Sequence, residues 1–251
     1  MRIAIAGSTG LIGSQLTSLA RKEGHDVVEI ARENGFDLLA PEPGQLETAL
    51  AGADVVVDVT QGPSLDEAAA THFFTTVAGN LGRAATAAGV PRTVALSIVG
   101  TDLSPDYGYY VAKTAQERAA REASSGALVL RATQFHDFAR QMFEWNQDGG
   151  VTRIIDVPLQ PVDTGEIVQL LLEVATGVVD HDVELAGPQQ ERLVDLVERY
   201  AAHVGSEVTV EAIAGPPSMA GGSMLPTSDA VLLRGPDWAT WLAAQPTSAR
   251  S

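Results

Sequence analysis

The chain has 251 residues, a net charge of -16 at neutral pH and no cysteine. That length suits a single large α/β domain with a core of its own, and the lack of thiols excludes disulfides and thiolate chemistry. So acidic a chain, with no basic stripe to neutralise phosphates, is not expected to bind nucleic acid. No apolar run approaches a membrane span or a secretory h-region, so a cytoplasmic protein is expected.

The first informative stretch is Met1 to Gly13. Ile3 and Ile5 sit among small residues, as in a strand buried on both faces. Beyond the following turn, Leu11, Ile12, Leu16, Leu19 and Ala20 recur at helical spacing. Between strand and helix lie Gly7, Gly10 and Gly13, a G-x-x-G-x-x-G run. Glycine allows the tight turn and lets backbone approach a pyrophosphate, which the amides of a helix N-terminus then hold. A purely structural turn remains the alternative; the strand-turn-helix context favours a dinucleotide site.

Asp26–Ala31 reads as the next strand and ends at Arg32. In dinucleotide folds that end faces the adenosine ribose, where an acidic residue favours NAD and an arginine accommodates the 2′-phosphate of NADP. Arg32 therefore points to NADP(H), while Glu29 leaves NAD(H) open. Gly35–Leu39 is expected to be a third strand, followed by a helix near residues 44–51 and a β-branched strand at Val55–Thr60. Ser64 and Glu67 form a capping-box pattern opening a helix that ends near Gly89, and Thr93–Ser97 is again a strand. This alternation predicts a doubly wound, Rossmann-like parallel sheet.

A helix is expected over 105–123, a strand over 127–132 and a helix over 134–146. The pattern then loosens into a strand near 151–155, a helix near 164–176, a strand near 182–186, a helix near 189–204 and a strand near 207–213. Residues 214–228, rich in Gly, Pro, Ser and Met, suggest a mobile flap or loop. Trp238, Trp241 and Leu242 have the spacing of a terminal helix docked by one face. No linker separates independent domains, so one domain over 1–251 is expected, with residues from about 150 onward forming a smaller substrate-side part.

The second informative cluster is Ser97, Tyr109 and Lys113. Four residues apart on a helix, Tyr109 and Lys113 are neighbours, and a nearby ammonium is expected to lower the phenol's pKa toward a useful range. Lys22 and Lys113 are the only lysines among 16 basic residues, so a lysine at this position is an unusual choice. Ser97, at a strand's C-terminal end, could hydrogen-bond the same substrate oxygen, or serve only as a turn residue. The five histidines are scattered without metal-ligand spacing, so no metal site is expected. His136, Met219 and Met224 are candidate substrate-side residues.

Gly7–Gly13, Arg32, Ser97–Gly100, Tyr109–Lys113 and Leu130–Phe135 together resemble the short-chain dehydrogenase/reductase superfamily, more narrowly its atypical, NmrA-like or NAD(P)H-binding branch. The resemblance implies an oxidoreductase acting on a small molecule, with Ser97 and Tyr109 catalytic and Lys113 also binding the nicotinamide ribose. By it, Thr9, Gly10, Leu11 and Ile12 meet the pyrophosphate, Arg32 the 2′-phosphate, and Asp37 and Leu38 the adenine. Val59 and Thr60 line the ribose, and Thr133 to Phe135 the nicotinamide end. Val59-Thr60-Gln61-Gly62 departs from the classical Asn-Asn-Ala-Gly, in keeping with the atypical branch. Some members of that branch bind NADP without turnover and act as redox-sensing regulators, which is the alternative function. Oligomeric state is not readable from the sequence.

Overall fold

The computed structural model describes residues 1–247. In chain order the elements are β1 (Arg2–Ala6), α1 (Leu11–Lys22), β2 (Asp26–Ile30), α2 (Gln45–Leu50), β3 (Val55–Asp58), α3 (Glu67–Ala87), β4 (Thr93–Ile98), α4 (Gly108–Ala123) and β5 (Ala127–Ala132). There follow α5 (Phe138–Trp145), β6 (Gln147–Asp148), β7 (Val151–Ile155), β8 (Pro158–Leu159), α6 (Thr164–Thr176), β9 (Val183–Ala186), β10 (Glu191–Arg192), α7 (Leu193–His203), β11 (Thr209–Ile213), α8 (Pro217–Ala220), β12 (Leu232–Leu233) and α9 (Trp238–Ala243). They form two compact units, Met1–Arg131 with Gly165–Val183, and Ala132–Thr164 with Glu184–Ser251.

Five of the seven strands of the central sheet lie in the first unit, in the order β5-β4-β3-β1-β2. The α/β, Rossmann-like fold expected from the sequence is therefore present. β1 pairs in parallel with both β2 and β3, so the strand order reverses there. The crevice outside the C-terminal ends of strands at such a switch point is where ligands bind in open α/β sheets. One core cluster joins Ala4, Ala6 and Val56 of the sheet to Leu46 and Leu50 of α2 and to Val77 and Leu81 of α3.

Helices α3 and α4 pack closely because small residues face each other. A Cβ on Gly82 would lie 2.5 Å from that of Ala123, and one on Gly108 would lie 2.5 Å from that of Glu67. This approach brings Phe74 of α3 against Ala112 and Tyr109 of α4.

Several boundaries differ from the sequence reading. Gly35–Leu39 is not a strand: Gly35 takes φ +86°, and Asp37 Oδ1 accepts the amide of Leu39 at 3.0 Å, turning the chain. Leu38 instead drops into the core, its carbonyl accepting from Asn80 Nδ2 at 2.9 Å. The strand at 55–60 stops at Asp58, whose side chain binds the next turn. Ser64 does not cap α3. Asp66 does, accepting the Ala69 amide at 3.0 Å, while Ser64 Oγ accepts the amide of Asp66. Helix α4 starts at Gly108 rather than 105, and α5 at Phe138 rather than 134, because Phe135 is held in a strand-like bridge to Val162.

In the second unit, β9 and β12 pair in parallel, and β11, β7 and β6 make a three-stranded sheet. The Gly/Pro/Ser/Met stretch at 214–228, expected as a flap or loop, contains α8 and buries Met219 and Met224. The expected docking of the terminal helix is observed. Trp238 is buried and donates its indole N–H to the carbonyl of His136 at 3.0 Å, and Leu242 is buried beside it in sequence.

Asp66→Ala should destabilise the protein by about 1 kcal/mol, the usual worth of an N-cap, while Ser64→Ala should cost clearly less. Urea denaturation of the two variants checks which residue is the cap.

Candidate active site

The glycine loop is shaped by contacts that no side chain would survive. Gly7 has φ +83°, and a Cβ there would sit 3.0–3.1 Å from the backbone of Val59 and Thr60. A Cβ on Gly13 would fall 2.1 Å from the Gly7 carbonyl oxygen. Gly10 is the N-cap of α1 and supplies no capping side chain, so the first-turn amides of Leu11, Ile12 and Gly13 are not covered by one. These features fit a diphosphate laid on the start of α1. Ile12 is buried and Leu11 is half exposed, so their backbone amides rather than their side chains suit that role.

Thr9 and the end of β2 lie together, where the sequence reading expects the adenosine. Arg32 is exposed and opens a short 3-10 turn. Glu33, missed by the sequence reading, accepts a hydrogen bond from Thr9 Oγ1 at 3.0 Å. Hydrogen bonds from its own backbone and from Thr9 hold its carboxyl below the ordinary range, so it is ionised at neutral pH. Glu29, the candidate that left NAD open, is engaged elsewhere, 2.5 Å from Arg21. Asp37 is exposed and bound to its own turn, and the side chain of Leu38 faces the core.

Val59 and Thr60 follow β3 on the other side of the switch point. Asp58, buried at the end of β3, fixes this loop by accepting both the amide of Thr60 at 3.0 Å and its hydroxyl at 2.7 Å. The second carboxylate oxygen of Asp58 accepts from Gln116 Nε2 of α4 at 2.9 Å. Gln116 Oε1 in turn accepts from Lys113 Nζ, which also donates to the Leu96 carbonyl at 2.9 Å. The ammonium stands 4.5 Å from the centre of the Phe74 ring. Lys113 is buried, and that burial pulls its pKa down to about 8 against the opposing pull of Asp58 and Glu117.

Tyr109 lies edge-on to Phe74, ring centres 5.7 Å apart. Its phenol is pushed up to about 12 by burial and by neighbouring Tyr107. This reverses the sequence expectation of a lowered value. The cause is geometric: the Lys113 ammonium is turned toward the Leu96 carbonyl and Gln116, and burial then decides the balance. Tyr110, by contrast, is a core residue packed edge-on to Tyr107.

Ser97 is also buried. Its hydroxyl donates to Glu117 Oε1 at 2.6 Å, and Arg131 grips Glu117 with Nε and Nη2, each at 2.9 Å. A hydroxyl has one proton, so in this arrangement Ser97 offers only lone pairs to any further partner. Arg131 reaches Asp102 as well, at 3.2 Å.

The remaining candidates belong to the second unit. Thr133 is buried and donates to the Gln160 carbonyl at 2.6 Å, and Phe135 is half-buried in its bridge. His136 Nε2 donates to the Pro236 carbonyl at 3.1 Å, and burial lowers its pKa, so the ring is held neutral. Met219 and Met224 are buried as core side chains are.

A family model described as "NAD dependent epimerase/dehydratase family" matches residues 3–135, which include the glycine loop, Lys113 and Arg131. The chain belongs to that family. Its members are NAD(P)-binding oxidoreductases and epimerases of the extended short-chain dehydrogenase/reductase type, and the loop geometry described above suits their dinucleotide. A curated relative, a 4-hydroxy-tetrahydrodipicolinate reductase of Natronomonas pharaonis, is 31% identical over 137 residues; the match covers 54% of this chain but only 45% of that protein. In fold, the chain resembles the dTDP-4-dehydrorhamnose reductase of Bacillus anthracis solved with NADP (TM-score 0.74, 14% identity, 96% of each chain). It also resembles MoeE5 solved with UDP-glucuronic acid and NAD (TM-score 0.73, 17% identity, 97% of this chain and 98% of that one).

The polar partners of Lys113 and Ser97, namely Asp58, Leu96, Gln116 and Glu117, lie within the matched residues. Gln116 and Glu117 were passed over in the sequence, although they lie three and four residues beyond Lys113 and so share its face. Breaking the Glu117–Arg131 pair by Arg131→Met leaves the buried carboxylate with only the Ser97 hydroxyl and the half-exposed Arg121, 3.6 Å away. It should cost about 3 kcal/mol in denaturant unfolding, with most of the loss recovered by adding Glu117→Leu.

Proposed function

We propose that the protein is an NADP(H)-dependent oxidoreductase that reduces the carbonyl of a small organic molecule, with Tyr109 as general acid. The observation that carries this is the α4 face on which a half-buried phenol, kept protonated by its surroundings, lies one turn before a buried ammonium. A protonated phenol matches the reductive direction, in which a proton must be given to the developing alkoxide. Within the family, Gln61 and the loop around it favour the atypical, NmrA-like branch.

The glycine loop and the start of α1 would hold the diphosphate, Arg32 the 2′-phosphate, and Thr60 and Lys113 the nicotinamide ribose. A reduced nicotinamide, when bound, supplies hydride. Tyr109 Oη gives its proton to the substrate oxygen. Ser97, committed to Glu117, holds the end of β4 in place rather than donating to the substrate.

The charge of the second unit, which we take as the substrate side, bears on the substrate class. Both lysines lie in the first unit. Among the described residues of the second, Arg140 is held by Asp137 and Glu144, Arg153 by Glu211, Arg192 by Asp156 and Arg199 by Glu191, and Arg234 is engaged too. A nucleoside diphosphate must find cations to replace its water, and Arg140, Arg153, Arg192 and Arg199 would each first have to leave a carboxylate. We therefore favour an uncharged carbonyl compound over the nucleotide-linked sugars of the solved relatives.

NADPH oxidation across a panel of uncharged aldehydes and ketones, with dTDP- and UDP-linked keto sugars beside them, tests both points. Turnover should be confined to the uncharged set and should fall at least about 100-fold in Tyr109→Phe, the usual scale of general acid catalysis. An undiminished Tyr109→Phe enzyme would sink the mechanism, and tight NADPH binding with no turnover at all would make the protein a redox-sensing regulator instead. For the cofactor, Arg32→Ala should weaken NADPH binding about tenfold through loss of a charge-assisted contact and leave NADH unchanged. Glu33→Gln should tighten NADPH. Nicotinamide fluorescence titration reads all four combinations.

A further inference from the structure

We propose that Asp58 and Gln116 are positioning residues that set the direction and charge of the Lys113 ammonium and tie it to the Thr60 loop. The proposal rests on the reading above for what Lys113 and Thr60 do, but its observations are independent of any substrate.

Two buried side chains from different elements make the connection. Gln116 donates its Nε2 hydrogen to Asp58 and accepts the Lys113 ammonium on Oε1. The amide is oriented by charge at both ends: reversed, it would set its N–H against the ammonium and its oxygen against the carboxylate. It therefore works as a polar spacer in an ion pair whose members do not touch. Asp58 spends its other oxygen on the amide and hydroxyl of Thr60. One unbroken chain of hydrogen bonds thus runs from the loop after β3, through Asp58 and Gln116, to Lys113 and the Leu96 carbonyl of β4.

The spacer has a consequence for the lysine. An ammonium carries three donors, of which Gln116 Oε1 and the Leu96 carbonyl take two. A direct bond to Asp58 would pull the ammonium toward β3. With the amide between, the charge is answered at a distance and the third donor is left for another acceptor. The groups facing the ammonium are Asp58 from β3, Gln116 and Glu117 on its own helix, the Phe74 ring from α3 and the Leu96 carbonyl from β4. Burial opposes the charge, and Asp58 and Glu117 sustain it.

The chain's lysine content makes the test direct. Lys22 and Lys113 are its only lysines, and Lys22 is exposed on α1. Protein grown with carbon-13 at lysine Cε gives two side-chain signals, assigned by Lys22→Arg, with Lys22 as internal reference. In the wild-type protein Lys113 should titrate near pH 8. Gln116→Glu, close to isosteric, should raise that midpoint by about one pH unit, while Asp58→Asn should lower it by about half a unit or more. Gln116→Leu should lower it as well and weaken NADPH binding about tenfold as measured by nicotinamide fluorescence. A Lys113 midpoint unmoved in both Gln116→Glu and Asp58→Asn overturns the proposal, even if Gln116→Leu fails to fold. Because the titration needs no substrate, an enzyme inactive on every carbonyl would overturn the functional reading while leaving this result to stand or fall by itself.

Discussion

The structure depends on the burial of one helix face. Lys113, Gln116 and Glu117 occupy the same side of α4, and all three are removed from water. A buried charge left alone would cost several kcal/mol, so each demands a partner of fixed geometry. Those partners come from three different strands: Asp58 at the end of β3, the Leu96 carbonyl and Ser97 on β4, and Arg131 on β5. The helix is thereby registered against the C-terminal ends of the strands, where this fold class places its chemistry. Apolar packing with α3 brings the helix close, through Gly82 and Gly108, but it would tolerate a small slide or rotation. The charged partners would not.

The glycine loop obeys the same logic with sterics in place of charge. Gly13 is needed because α1 presses directly on the Gly7 carbonyl, and Gly7 because the Val59–Thr60 loop passes over it. Asp58 holds that loop, and Gln116 holds Asp58. The cofactor-side turn and the helix bearing Tyr109 are therefore two ends of one connected set of contacts within the first unit.

What the sequence revealed, and what it hid, follows from the range of the forces involved. Periodicity and glycine spacing are local, so β1, the glycine turn, α1 and the parallel sheet were legible, as was the docked face carrying Trp238 and Leu242. Short-range turn chemistry was less so. Gly35 and Asp37 turned an apparent strand into a loop, and Asp66 displaced Ser64 as the cap of α3 because two good capping residues lay two apart. Hidden altogether were partners distant in sequence: Glu33 with Thr9, Asp58 with Gln116, and Arg131 with Glu117. Helical spacing from Lys113 marks Gln116 and Glu117 as sharing its face, but nothing local says that this face is buried.

The direction of the Tyr109 shift shows why spacing alone misleads about reactivity. Four residues of separation places a lysine beside a tyrosine, yet an ammonium lowers a phenol's pKa only when its charge faces the oxygen. Here the charge faces a carbonyl and an amide, so desolvation acts on both groups and moves them toward their neutral forms: the phenol up to about 12, the ammonium down to about 8. For the lysine the shift also has a stability consequence with a definite sign. An unfolded chain keeps this proton to its ordinary 10.5, while the folded one releases it near 8. The folded state therefore gains relative stability as pH rises from 8 to 10.5, where the unfolded state binds more protons. Below pH 8 the protein carries the full cost of a buried cation. That cost is met by fixed partners: the Leu96 carbonyl and the Gln116 amide oxygen accept its hydrogen bonds, and Asp58 answers its charge through that amide.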